Sequence, residues 1–395
     1  MGFIKIGIRK NLIYPLMLII FNFFRKIDTI IISRVLEFES SLIMALLMFI
    51  GEFIAGFIIY LYESSFLPKR KNSKYKNIKL IQGPKGLKIK EPKLKVHLLI
   101  FISSFFDFIE FIISTYYLGK YSDISNTLEM RLSGILTISS ALFFIFLLHL
   151  PISKHHIFSL SVIFFCLISV IISEYYFQYQ YVSHFTLKLL LIFLIHFFNS
   201  LLDSIEKYLL EYSYLNPFKT LMLEGAFGTI LTTFYSFFEY NFIEIKEYYN
   251  DNSKINFYFL LLCLFFYFLL CGGRNAYRVA TNKIYSPMAK SLTDYFLNPL
   301  IISYYYIFEN DFNSGEKKNL FFFVINLLFS IIIVLCGCIY NEFLVLYCFN
   351  LEFDAHKEVV RRATIVENIS SENSNEDNSS KDNISDEEEE EEKSI

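Results

Sequence analysis

The chain has 395 residues, of which 54% are apolar and only 19% charged, with a mean hydropathy of +0.43. A soluble domain carries about 45–50% apolar and about 25% charged residues, so this composition argues against a soluble enzyme, and 46 phenylalanines in recurring apolar runs argue against a disordered chain. The formal net charge of −3 conceals a division: residues 363–395 hold twelve acids against two lysines, while the remainder holds 27 acids against 34 bases.

A basic, apolar body with an acidic end is the pattern of a membrane protein with a disordered tail. A bilayer core about 30 Å thick needs about 20 apolar residues per helix. In chain order, such segments begin near Leu12, Ser40, Val96, Leu128, Ile157, Leu187, Lys219, Ile255, Ile284 and Leu320. The predicted fold is all-α and polytopic, with about ten transmembrane helices. The second to fifth, the seventh, the eighth and the tenth are the clearest. The first is interrupted by Arg25, Lys26 and Asp28, the sixth by His196 and Asp203, and the ninth by Lys290 and Asp294. No small-residue cleavage site follows the basic start, so the first span reads as a retained helix rather than a signal peptide.

With both termini in the cytosol, cytosolic segments hold 24 lysines and arginines and the opposite segments hold seven. That asymmetry sets the predicted orientation. The basic loop 62–95, with Pro68, Gly83, Pro84, Gly86 and Pro92, reads as a flexible cytosolic linker. Contact with anionic lipid headgroups is its alternative role. The tail 356–395 is rich in Ser, Asn, Asp and Glu from Asn368 onward, and such a segment buries too little apolar surface to order itself.

The spans divide into two halves of five, residues 1–173 and 184–355. The second span of each half carries Glu-x-x-x-Gly, as Glu52 to Gly56 and as Glu224 to Gly228. An odd number of spans per repeat inverts one half against the other, an arrangement of secondary transporters that bind solute between the repeats. Charges inside spans are costly and face the protein interior. Glu52, Asp107, Glu110, Arg131, Glu224, Lys290 and Asp294 are therefore the candidate substrate-binding or coupling residues. Asp107 and Glu110 share a helix face, and Lys290 and Asp294 stand four apart, a spacing that lets them pair. Arg131 reads as a cavity base or an interfacial anchor.

Enzymatic readings find little support. His149, His155 and His156 form one cluster at a predicted turn, too few for a di-iron membrane oxidase. Phosphate-loop, nucleophile-elbow and paired-Asp prenyl-diphosphate motifs are missing. The six cysteines sit in or beside apolar runs, without disulfide or zinc spacing. No cofactor, metal or nucleic-acid partner is implied.

Several stretches carry a resemblance. These are Leu47-Met48-Phe49-Ile50-Gly51-Glu52-Phe53, Phe105-Phe106-Asp107, Ile138-Ser139-Ser140-Ala141-Leu142-Phe143 with the basic turn at Lys154, Glu206-Lys207-Tyr208 leading into Glu224-Gly225-Ala226-Phe227-Gly228, and Ile339-Tyr340-Asn341-Glu342. In order and spacing the chain resembles the drug/metabolite transporter superfamily (EamA-like), most closely the F-type branch of the solute carrier 35 family, relatives of the nucleotide-sugar transporters. Two positions depart from that pattern. Glu129-Met130-Arg131-Leu132-Ser133-Gly134 displaces the Arg and Gly of the fourth span, and Asn298 stands where the ninth span has a second base. The resemblance implies a secondary transporter of a small polar or anionic metabolite, working by alternating access in an endomembrane or the plasma membrane. The alternative from another class is a non-transporting scaffold or adaptor that acts through its acidic tail.

Overall fold

The computed structural model describes residues 4–6, 12–38, 41–65, 93–114, 128–148, 152–178, 185–213, 215–239, 254–308, 313–314 and 317–346. Most of loop 62–95 and all of the tail 356–395 lie outside the described residues, as do His149 and Cys348. The described helices are α1 (Ile13–Ile30), α2 (Ser41–Ser65), α3 (Lys93–Ile112), α4 (Leu128–Arg131), α5 (Gly134–Leu148), α6 (Lys154–Gln178), α7 (Phe185–Tyr212), α8 (Pro217–Glu239), α9 (Lys254–Ile284), α10 (Pro287–Tyr295), α11 (Asn298–Phe308) and α12 (Leu320–Tyr340). A π-helical turn, Ile31–Val35, extends α1. The strands β1 (Ile4–Ile6), β2 (Asn313–Ser314), β3 (Lys317–Lys318) and β4 (Leu344–Leu346) form two antiparallel pairs, β1 with β4 and β2 with β3.

Local chemistry sets several helix starts. Asn216 accepts the Phe218 N–H at 2.9 Å and Pro217 follows it. Ser286 accepts the Ala289 N–H at 3.1 Å and is followed by Pro287. Asn319 accepts the Phe322 N–H at 3.1 Å at the start of α12. A polar N-cap satisfies donors that no helical carbonyl can reach, and proline in the next position gives up a donor that would be orphaned anyway.

Five helices are long and apolar enough to cross a membrane, within Leu42–Glu63, Lys154–Phe177, Phe185–Glu211, Ile255–Ile284 and Leu320–Tyr340. Three spans that the sequence made clear are not among them. The third carries Lys95, Asp107 and Glu110, the fourth is split between α4 and α5, and the hydropathy of the seventh is lowered by Lys219, Glu224 and its glycines and threonines. The sixth, read as interrupted, is among the five because His196 and Asp203 do not break α7.

Burial runs opposite to that of a soluble protein. Glu52, Asp203, Glu206 and Lys290 are 0% exposed, whereas Phe165 is 67% and Phe234 63% exposed. Apolar side chains turned outward around a polar interior suit a hydrocarbon surrounding. The described residues are those of a predominantly helical membrane protein.

The most extensive helix contact is α2 with α8. Gly56 makes it possible, since a Cβ there would lie 2.6 Å from Met222 N and 2.9 Å from Phe218 O. Helix α2 also packs on α9, where a Cβ on Gly51 would lie 2.7 Å from Phe268 O. Small residues allow such backbone approach in membranes. Further pairs are α1 with α9 and α10, α3 with α7 and α8, α5 with α6, α7 and α10, and α12 with α6, α10 and α11. Strand β1 pairs with β4 in the register Ile4↔Leu346, Lys5↔Val345 and Ile6↔Leu344, so the segment before α1 lies beside the segment after α12.

Candidate functional site

Helix α9 has 31 residues, roughly 46 Å at 1.5 Å per residue. It is longer than one bilayer core, and its C-terminal third carries Arg274, Asn275, Arg278 and Asn282 into the protein interior. Arg278 sits at the centre of an ion network. One guanidinium nitrogen lies 2.7 Å from Glu206 of α7 and 3.5 Å from Glu224 of α8, and another lies 3.8 Å from Asp107 of α3. Glu206 also accepts from Asn282 Nδ2 at 3.1 Å. Charges taken from water need such partners, because an unpaired one costs several kcal/mol.

A second cluster centres on Lys290 of α10. Its Nζ lies 2.9 Å from Asp203 and 2.9 Å from Asp294, and donates to Asn199 Oδ1 at 2.7 Å. The i,i+4 pairing expected of Lys290 and Asp294 is therefore formed. Asp294 reaches Arg274 at 3.5 Å and accepts from Asn22 Nδ2 at 3.1 Å. Arg274 Nε donates to Asn22 Oδ1 at 2.9 Å, which draws α1 into the same cluster. Glu110 lies one turn beyond Asp107, half-buried, within electrostatic reach of Asp107, Lys290, Arg274 and Glu129.

Two helices are interrupted inside the array, at Leu132–Ser133 between α4 and α5 and at Phe296–Leu297 between α10 and α11. Pro299 accounts for the second: it has no N–H to bond the Tyr295 carbonyl, and its ring crowds that turn. The first falls at Ser133-Gly134, two weak helix formers. The interruptions touch each other. Asn298 Nδ2 donates to Met130 O at 3.0 Å and to Ser133 Oγ at 3.1 Å. Lys26 of α1 donates to Asn298 Oδ1 at 3.3 Å. A lysine from α1 thus reaches the interruption of the α10–α11 segment.

Arg131 lies in α4, beside the interruption at Leu132–Ser133. It is 1% exposed, 3.0 Å from Glu174 of α6, with its guanidinium 5.3 Å from the centre of the Phe322 ring. His155 and His156, expected in a turn, lie in the first turn of helix α6, with His155 Nε2 3.6 Å from Glu342.

Sequence reasoning missed Arg274 and Arg278, which it counted among cytosolic bases. A 20-residue span begun at Ile255 stops at about Arg274, whereas the helix runs to Ile284. The available signal was the matched polarity of Asp203–Glu206 and Arg274–Arg278 at helical spacing in segments otherwise read as spans. Lys207, also counted as cytosolic, is buried. Its Nζ donates to the carbonyls of Asn282 at 2.9 Å, Lys283 at 3.1 Å and Tyr285 at 3.1 Å, and lies 2.7 Å from Glu211. A charged donor there satisfies carbonyls left open at the end of α9.

The duplicated motif has a duplicated contact. Glu224 Oε1 accepts from Ser103 Oγ of α3 at 2.8 Å. Glu52 Oε1 accepts from Asn275 Nδ2 of α9. A shift of 172 residues carries Glu52 onto Glu224 and Ser103 onto Asn275, so one shift relates both hydrogen bonds. No group of three or more His, Cys, Asp or Glu side chains suited to a metal ion occurs among the described residues. A cavity of about 170 Å³ opens elsewhere, lined by His156, Tyr285, Ser286, Tyr340, Asn341 and Glu342 among others, and shares no lining residue with the ion network. No protein-family model matches the chain, and no curated protein does.

Proposed function

We propose that the chain is a secondary transporter of a small polar or anionic solute, built as two inverted five-helix halves of the drug/metabolite transporter type. The observation that carries this reading is the meeting of two interrupted helices beside half-buried Lys26, Glu110, Arg274 and Asp294. Irregular backbone at membrane depth is tolerated where it is buried in protein or lines a cavity, and discontinuous helices form the solute sites of many secondary transporters.

The two-half reading has three supports. Each half has its interruption in its fourth span, α4–α5 and α10–α11. The 172-residue shift relates the two glutamate contacts. Several packing pairs survive exchange of the halves: α2 with α9 becomes α8 with α3, α1 with α9 becomes α7 with α3, and α5 with α10 becomes α11 with α4, while α2 with α8 and α6 with α12 map onto themselves. The β1–β4 pairing favours an even number of crossings, in keeping with both termini on the cytosolic side.

The solute is held by Lys26, the Lys290–Asp294 pair and Asn298. Among the described residues Lys26 forms no ion pair, which leaves it available to a carboxylate or phosphate. The test is uptake by proteoliposomes from a panel of nucleotide sugars, nucleotides, organic acids and amino acids. At least one should enter faster than into protein-free vesicles, and Lys26→Ala should raise its half-saturating concentration at least tenfold. A panel with no uptake, or wild-type uptake by Lys26→Ala and Lys290→Met variants, sinks the proposal.

A further inference from the structure

The two glutamates related by the 172-residue shift are not alike in their surroundings. Glu224 has Arg278 at 3.5 Å in addition to Ser103. Glu52 is 0% exposed and has no cation within ion-pair distance among the described residues. Its Oε1 accepts from Asn275, an uncharged amide, and its Oε2 has no hydrogen-bond partner.

The groups around it sharpen the contrast. Asp107 of α3, Glu206 of α7, Glu224 of α8 and Arg274 and Arg278 of α9 are all within electrostatic reach. Both arginines are already engaged, Arg278 by Glu206, Glu224 and Asp107, and Arg274 by Asp294. Across the network and the groups that face it, seven carboxylates, Glu52, Asp107, Glu110, Asp203, Glu206, Glu224 and Asp294, stand against five cations, Arg25, Lys26, Arg274, Arg278 and Lys290, and Arg25 and Lys26 face Asp294 rather than Glu52. An ionised carboxylate at 0% exposure, beside other carboxylates and without a cation of its own, is strongly disfavoured. Adding a proton to Oε2 removes the charge and gives the unpartnered oxygen an O–H.

We propose that Glu52 is the proton-binding carboxyl of the network, while Glu224 is its ion-paired structural counterpart, so that a proton crosses with each solute. In each cycle one proton from water forms an O–H bond at Oε2, the side chain passes from −1 to neutral, and release on the other side returns the proton to water. The presence of the proton stands on the surroundings of Glu52; its coupling to solute movement rests on the transporter reading.

Infrared spectroscopy of the purified full-length chain near neutral pH tests the proton directly. The wild type should show a carboxylic-acid C=O band, sensitive to deuterium, that is lost in Glu52→Gln and kept in Glu224→Gln. Glutamine preserves shape and can still accept from Asn275. Should Glu52→Gln fail to fold, Asn275→Leu serves instead: it keeps Glu52 but removes its one hydrogen bond, and the band should move to higher frequency. A band that persists in Glu52→Gln, that disappears equally in both glutamate variants, or that ignores Asn275→Leu overturns the assignment. In proteoliposomes, Glu52→Gln should abolish stimulation of uptake by an imposed pH gradient. If no solute of the panel moves but the band belongs to Glu52, the transporter reading falls and the proton site stands. Stimulation by the pH gradient that persists in Glu52→Gln overturns the coupling.

Discussion

Replacing Arg278 with methionine removes one cation from three carboxylates at 2.7, 3.5 and 3.8 Å. At an effective dielectric constant of about 20, the gross attractions at those distances are about 6, 5 and 4 kcal/mol. Most of that is offset by desolvation of each ion and by repulsion among the carboxylates. The loss measured on removing one partner of a buried pair is typically about 3–5 kcal/mol, because charge is left behind without compensation. Methionine keeps much of the side-chain volume, so cavity formation adds little. The assay is denaturant or thermal unfolding in a fixed detergent, comparing wild type, Arg278→Met, Glu206→Gln and the double variant. Glu206 is the nearest acid, so neutralising it in the Arg278→Met background should restore at least about 1 kcal/mol, whereas Glu206→Gln alone should destabilise. A loss below about 1 kcal/mol for Arg278→Met, or two effects that simply add, would refute the view that this arginine holds the network together.

Lys207→Met should cost about 1.5–3 kcal/mol, the worth of hydrogen bonds from a charged donor. Hydrogen exchange should accelerate at the end of α9 and leave α12 unchanged. Gly56→Val places a branched side chain where even a Cβ lies 2.6 Å from Met222 N; the yield of monodisperse protein should collapse, whereas Gly56→Ala should retain part of it. The tail acceptors Asn368, Asn378 and Asn383 should stay free of glycan in eukaryotic cells. A glycosidase-sensitive mobility shift would place the tail on the other side of the membrane.

The helical segments were legible because length and hydropathy are properties of the chain alone: α1 starts at Ile13 where Leu12 was expected, and α12 starts at Leu320 as expected. The charge inside the spans was legible for the same reason, and Lys290–Asp294 could be paired from spacing alone. The partners of Arg278 could not, since Asp107, Glu206 and Glu224 come from three other helices and meet only through tertiary packing. The interruption at Phe296–Leu297 had a signal in Pro299 that went unread, because the hydropathy pattern continues across it. The Arg131–Glu174 pair was equally illegible, because Glu174 lies at the far end of the following span and adjacency of that kind leaves no local trace.

The β1–β4 ladder makes the described fold a nearly closed ring of polypeptide. Ile4 stands opposite Leu346, so the chain leaves the helical array beside the place where it enters. Joining those ends through a short linker and opening the connection between α6 and α7 would give a polypeptide that reads α7–α12 first and α1–α6 second. Each packing contact would be available in the permuted order, because none of them crosses the opened connection as a covalent requirement.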